Sequence, residues 1–291
     1  MTPKIILMPF NGSDHELAAL ETAFTLAKRW NAHVAVWHAL PDPEEIIAVY
    51  SAFFMGVPYL PDESNYAELL KLNEKSRKET LQKFIKTAKE AGVPCDDCPE
   101  KNKASASYRT TVEHLEKVIT TQGRLSDIII MSRNPEQNLV YDEIIHAALF
   151  ETGRPVLLVP PGDTAKPLNE KVLIAWNGSS EAIHAVTAAL PFLKSGNVKV
   201  LTGESDNWHG PAIMPQDLAD YLGKHDIHAE TLMPWINGNS PAPTILNSAK
   251  KIDAGLIVMG AYSHSRMREM IMGGVTAHML KHADVPILMM H

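Results

Sequence analysis

The sequence predicts an α/β protein made of two tandem, doubly wound parallel sheets, and three observations carry that expectation. The chain repeats itself: residues 5–13 read IILMPFNGS and residues 171–179 read KVLIAWNGS, so Asn11 and Asn177 stand 166 residues apart (177 − 11). The closing segments repeat as well, SDIIIMS (126–132) with AGLIVMG (254–260), and GRPVLLVPP (153–161) with DVPILMM (284–290). Finally, these segments are unbroken runs of Ile, Val, Leu and Met that alternate with helix-period stretches. Such runs suit strands buried on both faces, and the alternation suits crossover helices on a parallel sheet.

Composition sets bounds. A length of 291 residues allows two domains of ordinary size, and 45% hydrophobic residues let each build a core. The net charge of −7 argues against a nucleic-acid groove, which needs a basic face. No apolar run approaches the roughly 18 residues of a membrane span. MTPKIILMPFNG lacks a long apolar core and a small-residue cleavage site, so it reads as a first strand, not a signal peptide. With only two cysteines, a cytoplasmic protein is the expectation.

In chain order, the first strand ends in Asn-Gly-Ser and leads into a helix from Asp14 to Leu26, with Ser13 a natural N-cap. A second strand follows at His33–Trp37. The mixed segment Pro41–Asn65 holds Tyr50, Phe53, Phe54 and Tyr59; it reads as a flap over the sheet, or as a lid with apolar anchors for a partner or ligand. A helix is expected over Tyr66–Ala91 and a third strand near Val93–Pro99. Cys95 and Cys98 lie there as Cys-Asp-Asp-Cys. Without a second pair of ligands they read first as surface thiols, with zinc or redox work the alternatives. The polar stretch Gly162–Glu170 marks the boundary, giving domains 1–162 and 170–291. The second half repeats the scheme: a helix from Ser180 to Leu193 capped by Ser179, then strands at Val198–Leu201 and Ala229–Met233.

The segment 255–278, GLIVMGAYSHSRMREMIMGGVTAH, carries the chemistry. A buried strand ends at Met259 and Gly260, a polar loop follows, and Gly273-Gly274 opens a helix. Free N–H groups and the helix dipole at such a start favour anions, and glycine lets a ligand approach the main chain. The stretch resembles the nucleotide loop of the ATP-binding universal stress protein family, G-x2-G-x9-G-[ST]. The four positions fall on Gly260, Ser263, Gly273 and Gly274; Ser263 stands where glycine is usual and Gly274 where a hydroxyl is usual, with Thr276 able to supply the hydroxyl. The resemblance covers nearly the whole chain as two fused domains and implies strand order 3-2-1-4-5. It also implies an adenine nucleotide as ligand: ATP, with AMP or ADP as alternatives, and Mg2+ able to accompany the triphosphate.

Roles follow from that resemblance. Backbone N–H groups of Gly260, Gly274, Val275 and Thr276 would hold phosphates, and Met259 borders the loop. Arg266 could close over the outer phosphates, with His264 either helping or simply solvated. Asn177 stands where the family carries Asp, near base and ribose. Ala175 and Trp176 would flank the base, Trp176 either stacking on it or packing in the core. Thr202 would offer backbone groups to the base. No Walker lysine, activating base or Mg2+ carboxylate set accompanies the loop, so binding with slow or no hydrolysis is expected and no catalytic residue is assigned.

The first half differs at the matching place. Ser132 stands for Gly260 and Pro135 for Ser263. The run from Pro135 to Asp142 spans 7 positions (142 − 135) against 10 from Ser263 to Gly273 (273 − 263). Counted back from Pro155, Asp142 and Glu143 fall opposite Gly273 and Gly274, placing two carboxylates at the helix start, where they would repel a triphosphate. One nucleotide site, in the second half, is therefore expected, with the first half a degenerate partner for folding and assembly. The alternative is a scaffold or small-ligand module that acts through dimerisation. His278 and His282, at i and i+4, share a helix face and read as a surface pair more than a metal site. The apolar last strands, Val156–Val159 and Ile287–Met290, offer edges through which the two halves could pair within one chain; a further homodimer is compatible with the sequence.

Overall fold

The structure is a computed structural model. It describes the chain apart from residues 1, 54–62, 97–101, 134–138, 166–167, 169, 195–196, 204–212, 235–240 and 262–273, and at 49–53, 63–65 and 139–140 it describes the backbone alone. Within the described residues the first half runs β1 (Ile5–Pro9), α1 (Leu17–Trp30), β2 (His33–Ala39), α2 (Pro43–Phe53), α3 (Glu63–Ala91), β3 (Ser105–Thr111), α4 (Leu115–Gly123), β4 (Ile128–Ser132), α5 (Leu139–His146) and β5 (Val156–Val159). The second runs β6 (Lys171–Ala175), α6 (Ser180–Leu193), β7 (Asn197–Leu201), α7 (Pro215–Gly223), β8 (Ala229–Leu232), α8 (Ala242–Ile252), β9 (Leu256–Gly260), α9 (Gly274–His282) and β10 (Ile287–Met290).

The described strands form one ten-stranded sheet in the order β3-β2-β1-β4-β5-β10-β9-β6-β7-β8. Each half, read inward from its edge, has the order 3-2-1-4-5 that the resemblance implies. All pairings are parallel except the central one, where β5 and β10 run antiparallel with Leu157 opposite Leu288. The apolar last strands thus pair within the chain, as their composition suggests.

The alternation of side chains across each strand builds a core on either face. Ile6, Met8, Leu157, Val159, Val172 and Ile174 meet α1, α3, α6 and α7 on one side. Leu7, Val156, Leu158, Leu173 and Ile257 meet α4, α5, α8 and α9 on the other. Both cores run through the β5–β10 junction, and across the first of them Trp30 of α1 meets Phe192 of α6 edge to face, ring centroids 4.9 Å apart.

Four expectations are corrected. The third strand of the first half is β3, Ser105–Thr111, not 93–99; at the earlier place only Cys95 bridges to Ala106. SASYRTT is an edge strand with a half-polar surface, so it lacks the apolar run that marks the interior strands. The segment 41–65 contains a helix, α2, reaching Phe53; Phe54 and Tyr59 lie outside the described residues, as do the side chains of Tyr50 and Phe53. Ser13 makes no side-chain cap: the chain enters α1 through a 3-10 turn at Asp14–Glu16, whereas the Ser179 hydroxyl accepts the Ala182 N–H at 3.2 Å. Finally, α5 starts at Leu139, so Asp142 closes its first turn and Glu143 lies beyond it. Neither carboxylate stands at the helix start, and burial pushes the Asp142 carboxyl up, not down.

Candidate functional site

The carboxyl ends of β6, β7 and β9 meet at one place. Ala175 pairs with Met259 in register, and Gly260 follows at the strand end. The helix α9 lies between the parallel strands β9 and β10, so as a crossover it runs back against them and starts on the same side as their carboxyl ends. Ligands in doubly wound sheets sit there, where the strand order reverses. The structure therefore gathers Ala175, Trp176, Asn177, Thr202, Met259 and Gly260 on these strand ends and puts Gly274, Val275 and Thr276 in the first turn of a helix that begins on their side. Ser263, His264, Arg266 and Gly273 lie outside the described residues.

Each described position has its own local cause. Asn177-Gly178-Ser179 is a turn in which the Asn177 side-chain oxygen accepts the Ser179 N–H at 3.2 Å while Gly178 adopts φ 74°. Asn11-Gly12-Ser13 does the same at 3.0 Å with Gly12 at φ 87°. The repeated tripeptide is thus turn chemistry in both halves, linking strand to helix. Trp176 is 4% exposed in the core beneath α6, and its indole N–H donates to the Ile213 carbonyl at 3.0 Å. Of the two roles open to it, the structure selects the packed one. Thr202 is 3% exposed; its N–H donates to Leu232 O at 3.0 Å and its hydroxyl to Trp176 O at 3.1 Å. Its amide is therefore committed to the sheet, which leaves its carbonyl as the backbone group that a base could use.

Gly260 has a packing reason of its own. A Cβ there would come within 2.7 Å of the Ala182 nitrogen and 2.8 Å of the Glu181 carbonyl carbon, because the start of α6 rests on the end of β9. In the first half the entering helix begins as a 3-10 turn, and Ser132 fits, its hydroxyl donating to His15 O at 2.9 Å. Gly274 is different: among the described residues nothing stands within 4 Å of where its Cβ would be. Thr276, inside the first turn of α9, is 4% exposed. The helix carries no acidic residue in its first turn.

The sequence reading overlooked Glu16. Its carboxylate accepts the Asn11 N–H at 2.9 Å. Burial pushes its pKa up to about 7, against the downward pull of the Asn11, Ser13 and Gly12 amides and of Lys83. Lys83 of α3 lies over the same turn, donating to Gly12 O at 2.6 Å and to Asp14 at 2.6 Å, and Thr80 donates to Asn11 O at 3.1 Å. The strand-end turn of the first half is thus filled by the chain's own carboxyl group and covered by α3. Ala182 takes the position of Glu16 in the second half (182 − 16 = 166); the carboxylate nearest that turn is Glu181, which bonds the Ser179 and Ser180 side chains.

Other features are compact to state. His278 and His282 lie ring to ring at 4.4 Å on α9, and burial, helped by His278, Lys281 and Arg133, holds the His282 pKa down. Cys95 is an exposed free thiol whose pKa burial raises, and Cys98 lies outside the described residues. A cleft of about 890 Å³ opens between α2 and the ends of β2 and β3, with Leu40, Ile46, Val112 and Leu115 among its walls. Among the described residues no group of three metal-ligating side chains comes together, and no helix is long and apolar enough to cross a membrane.

Comparison with known proteins agrees with this architecture. Residues 169–291 match the model of the universal stress protein family. A universal stress protein from Archaeoglobus fulgidus superposes over 100% of this chain and 96% of its own, with a TM-score of 0.68 at 16% identity. A functionally unknown protein from Pseudomonas aeruginosa superposes over 99% of this chain and 92% of its own, with a TM-score of 0.57 at 16% identity. No curated protein matches the sequence. The second half thus matches the universal stress protein family, and the full length shares the fold of a solved universal stress protein of similar length.

Proposed function

We propose that this stress protein binds an adenine nucleotide, ATP foremost, in its second half alone and hydrolyses it slowly or not at all. The base and ribose would lie over Ala175, Asn177 and the end of β7, and the phosphates would lie at Gly260 and at the first turn of α9, Gly274 to Thr276. Ser263, His264, Arg266 and Gly273 would complete the loop around the phosphates. The division 1–162 and 170–291 follows the same reading, with the first part a partner that supports folding. The observation that carries the proposal is the contrast between the two strand-end turns. In the first half the turn amides hold Glu16 under α3; in the second the corresponding position is Ala182, Glu181 bonds the Ser179 and Ser180 side chains, and among the described residues nothing stands within 4 Å of a Cβ placed on Gly274. A helix start with free amides suits phosphate oxygens.

Calorimetric titration of the whole chain with ATP, ADP and AMP tests this. Binding at one site, lost in Gly274→Asp and kept in Asp142→Asn, is expected, with phosphate release near the uncatalysed rate. No binding of any of the three at millimolar concentration would overturn it. The apolar cleft under α2 favours a second reading, a small-ligand module in the first half. An apolar dye displaced by ATP analogues from Gly274→Asp as well as from wild type would favour that reading over the first.

A further inference from the structure

Because β5 and β10 pair antiparallel, the strands of the two halves run in opposite directions. The carboxyl end of the first half's sheet therefore lies beside the amino end of the second's, where α9 terminates. Arg133, the residue after β4, uses this meeting. Its guanidinium Nη1 donates to the carbonyls of Leu280 at 2.7 Å and Met279 at 3.5 Å, within the last turn of α9. Its own N–H is fixed by Val159 O at 2.8 Å. Met279 O also takes the Ala283 N–H at 3.1 Å, while Leu280 O is among the carbonyls that a helix end leaves over, and a cation there complements the negative end of the dipole.

The arrangement is one-sided. The corresponding residue of the second half is Ala261 (133 + 128, the offset that carries Met131 onto Met259), which has no side chain to return the contact. The helical segment that ends the first half is tied by its own Arg124, donating to Glu151 O at 3.0 Å. The residue matching Arg124 in the second half is Ile252 (124 + 128). So the second half has no arginine at the matching place; α9 carries Lys281 and His282 in its last turn, and the first half adds Arg133. A helix of nine residues is short enough for such an anchor to matter, since isolated helices of that length are marginal.

We propose that Arg133 is a positioning residue that sets α9 for phosphate binding, so that the first half tunes the nucleotide affinity of the second. This rests on the reading that phosphates lie at the α9 N-terminus. Arg133 would touch no ligand; it holds the helix at Leu280, about 9 Å from Gly274 at 1.5 Å per residue. Burial works against the Arg133 charge, Tyr141 and Asp284 partly offset that, and His278, Lys281 and His282 lie on α9.

The test compares ATP with adenosine on full-length protein. Arg133→Ala should weaken ATP by about 5- to 20-fold, at or below the low end of the roughly 10- to 150-fold that one charged hydrogen bond is worth because the contact acts through the helix, and leave adenosine within twofold. It should also speed amide exchange across 274–282. Arg133→Lys, which keeps the charge, should recover part of the ATP affinity. Arg124→Ala, the control at the other helix end, should leave both affinities unchanged. If Arg133→Ala folds poorly, Arg133→Gln gives the same comparison. Equal losses for ATP and adenosine, or no loss for either, would overturn the proposal while leaving the nucleotide site intact. Failure of wild type to bind ATP would instead overturn the site and, with it, this inference.

Discussion

Glu16 offers a quantitative check on the closed turn of the first half. Its folded pKa of about 7 lies above the ordinary 4.5, because burial penalises the carboxylate more than the turn amides and Lys83 repay. A group whose folded pKa is raised stabilises the fold fully below its unfolded pKa and loses that contribution as pH rises through the folded value. At about 1.4 kcal/mol per pKa unit the full span would be about 3 kcal/mol. The Glu16 side chain is only partly buried, and solvent screening reduces this to about 1–2 kcal/mol. Glu16→Gln keeps an acceptor for the Asn11 N–H without a titrating charge. Thermal melts of wild type and variant at pH 5 and pH 8 should then show the variant gaining about 1–2 kcal/mol relative to wild type on going to pH 8, or roughly 2–8 °C for a chain of this size. Other groups titrate alike in both proteins and cancel in the comparison. If the variant loses ground at pH 8, the amides and Lys83 hold the carboxylate as a stabilised anion, and the argument that burial prevails is wrong.

Three further outcomes follow from the packing. Gly260→Ala should destabilise by about 1–3 kcal/mol in urea melts, since its Cβ meets the backbone of Glu181 and Ala182 at under 3 Å. Ser179→Ala should cost about 1 kcal/mol through the lost cap, while Ser13→Ala, with no cap bond to lose, should stay within about 0.5 kcal/mol. Trp176→Phe removes the bond to Ile213 O and should cost about 1 kcal/mol while leaving ATP affinity unchanged; a large affinity loss at unchanged stability would return Trp176 to the base.

Much of the fold was legible because the interior strands are buried on both faces. IILMP, IIIMS, VLLV and their partners have no polar side to disguise them, and their repetition fixes two matching halves. The elements that escaped reading lie at the edges. β3 carries Ser, Tyr, Arg and Thr, and its first residues are flanked by the Cys95 bridge, so neither hydrophobicity nor period marks it. Ser13 and Ser179 look equivalent in sequence, yet Glu16 competes for the turn amides in one half and Ala182 does not in the other. At the candidate site, Gly260 was recognised for its place in the loop pattern, but the structure adds a steric cause that holds with or without a ligand. Trp176 could be resolved only by the carbonyl its indole meets.

Arg133 shows why some functional residues cannot be found by reading along a chain. Nothing about an arginine after IIIMS distinguishes it until the sign of one strand pairing is known. Had β5 and β10 paired in parallel, Arg133 would face the start of α9, where a cation is unfavourable. Antiparallel pairing turns the same residue toward the carbonyl end, where it is favourable. At the reciprocal junction His291 bonds Ala261 O at 3.1 Å and its ring meets Phe150 at 4.4 Å. The two halves therefore share a fold but exchange different contacts across their common boundary. The half whose own turn is closed by a carboxylate is the one that supplies the charge to the other half's phosphate helix.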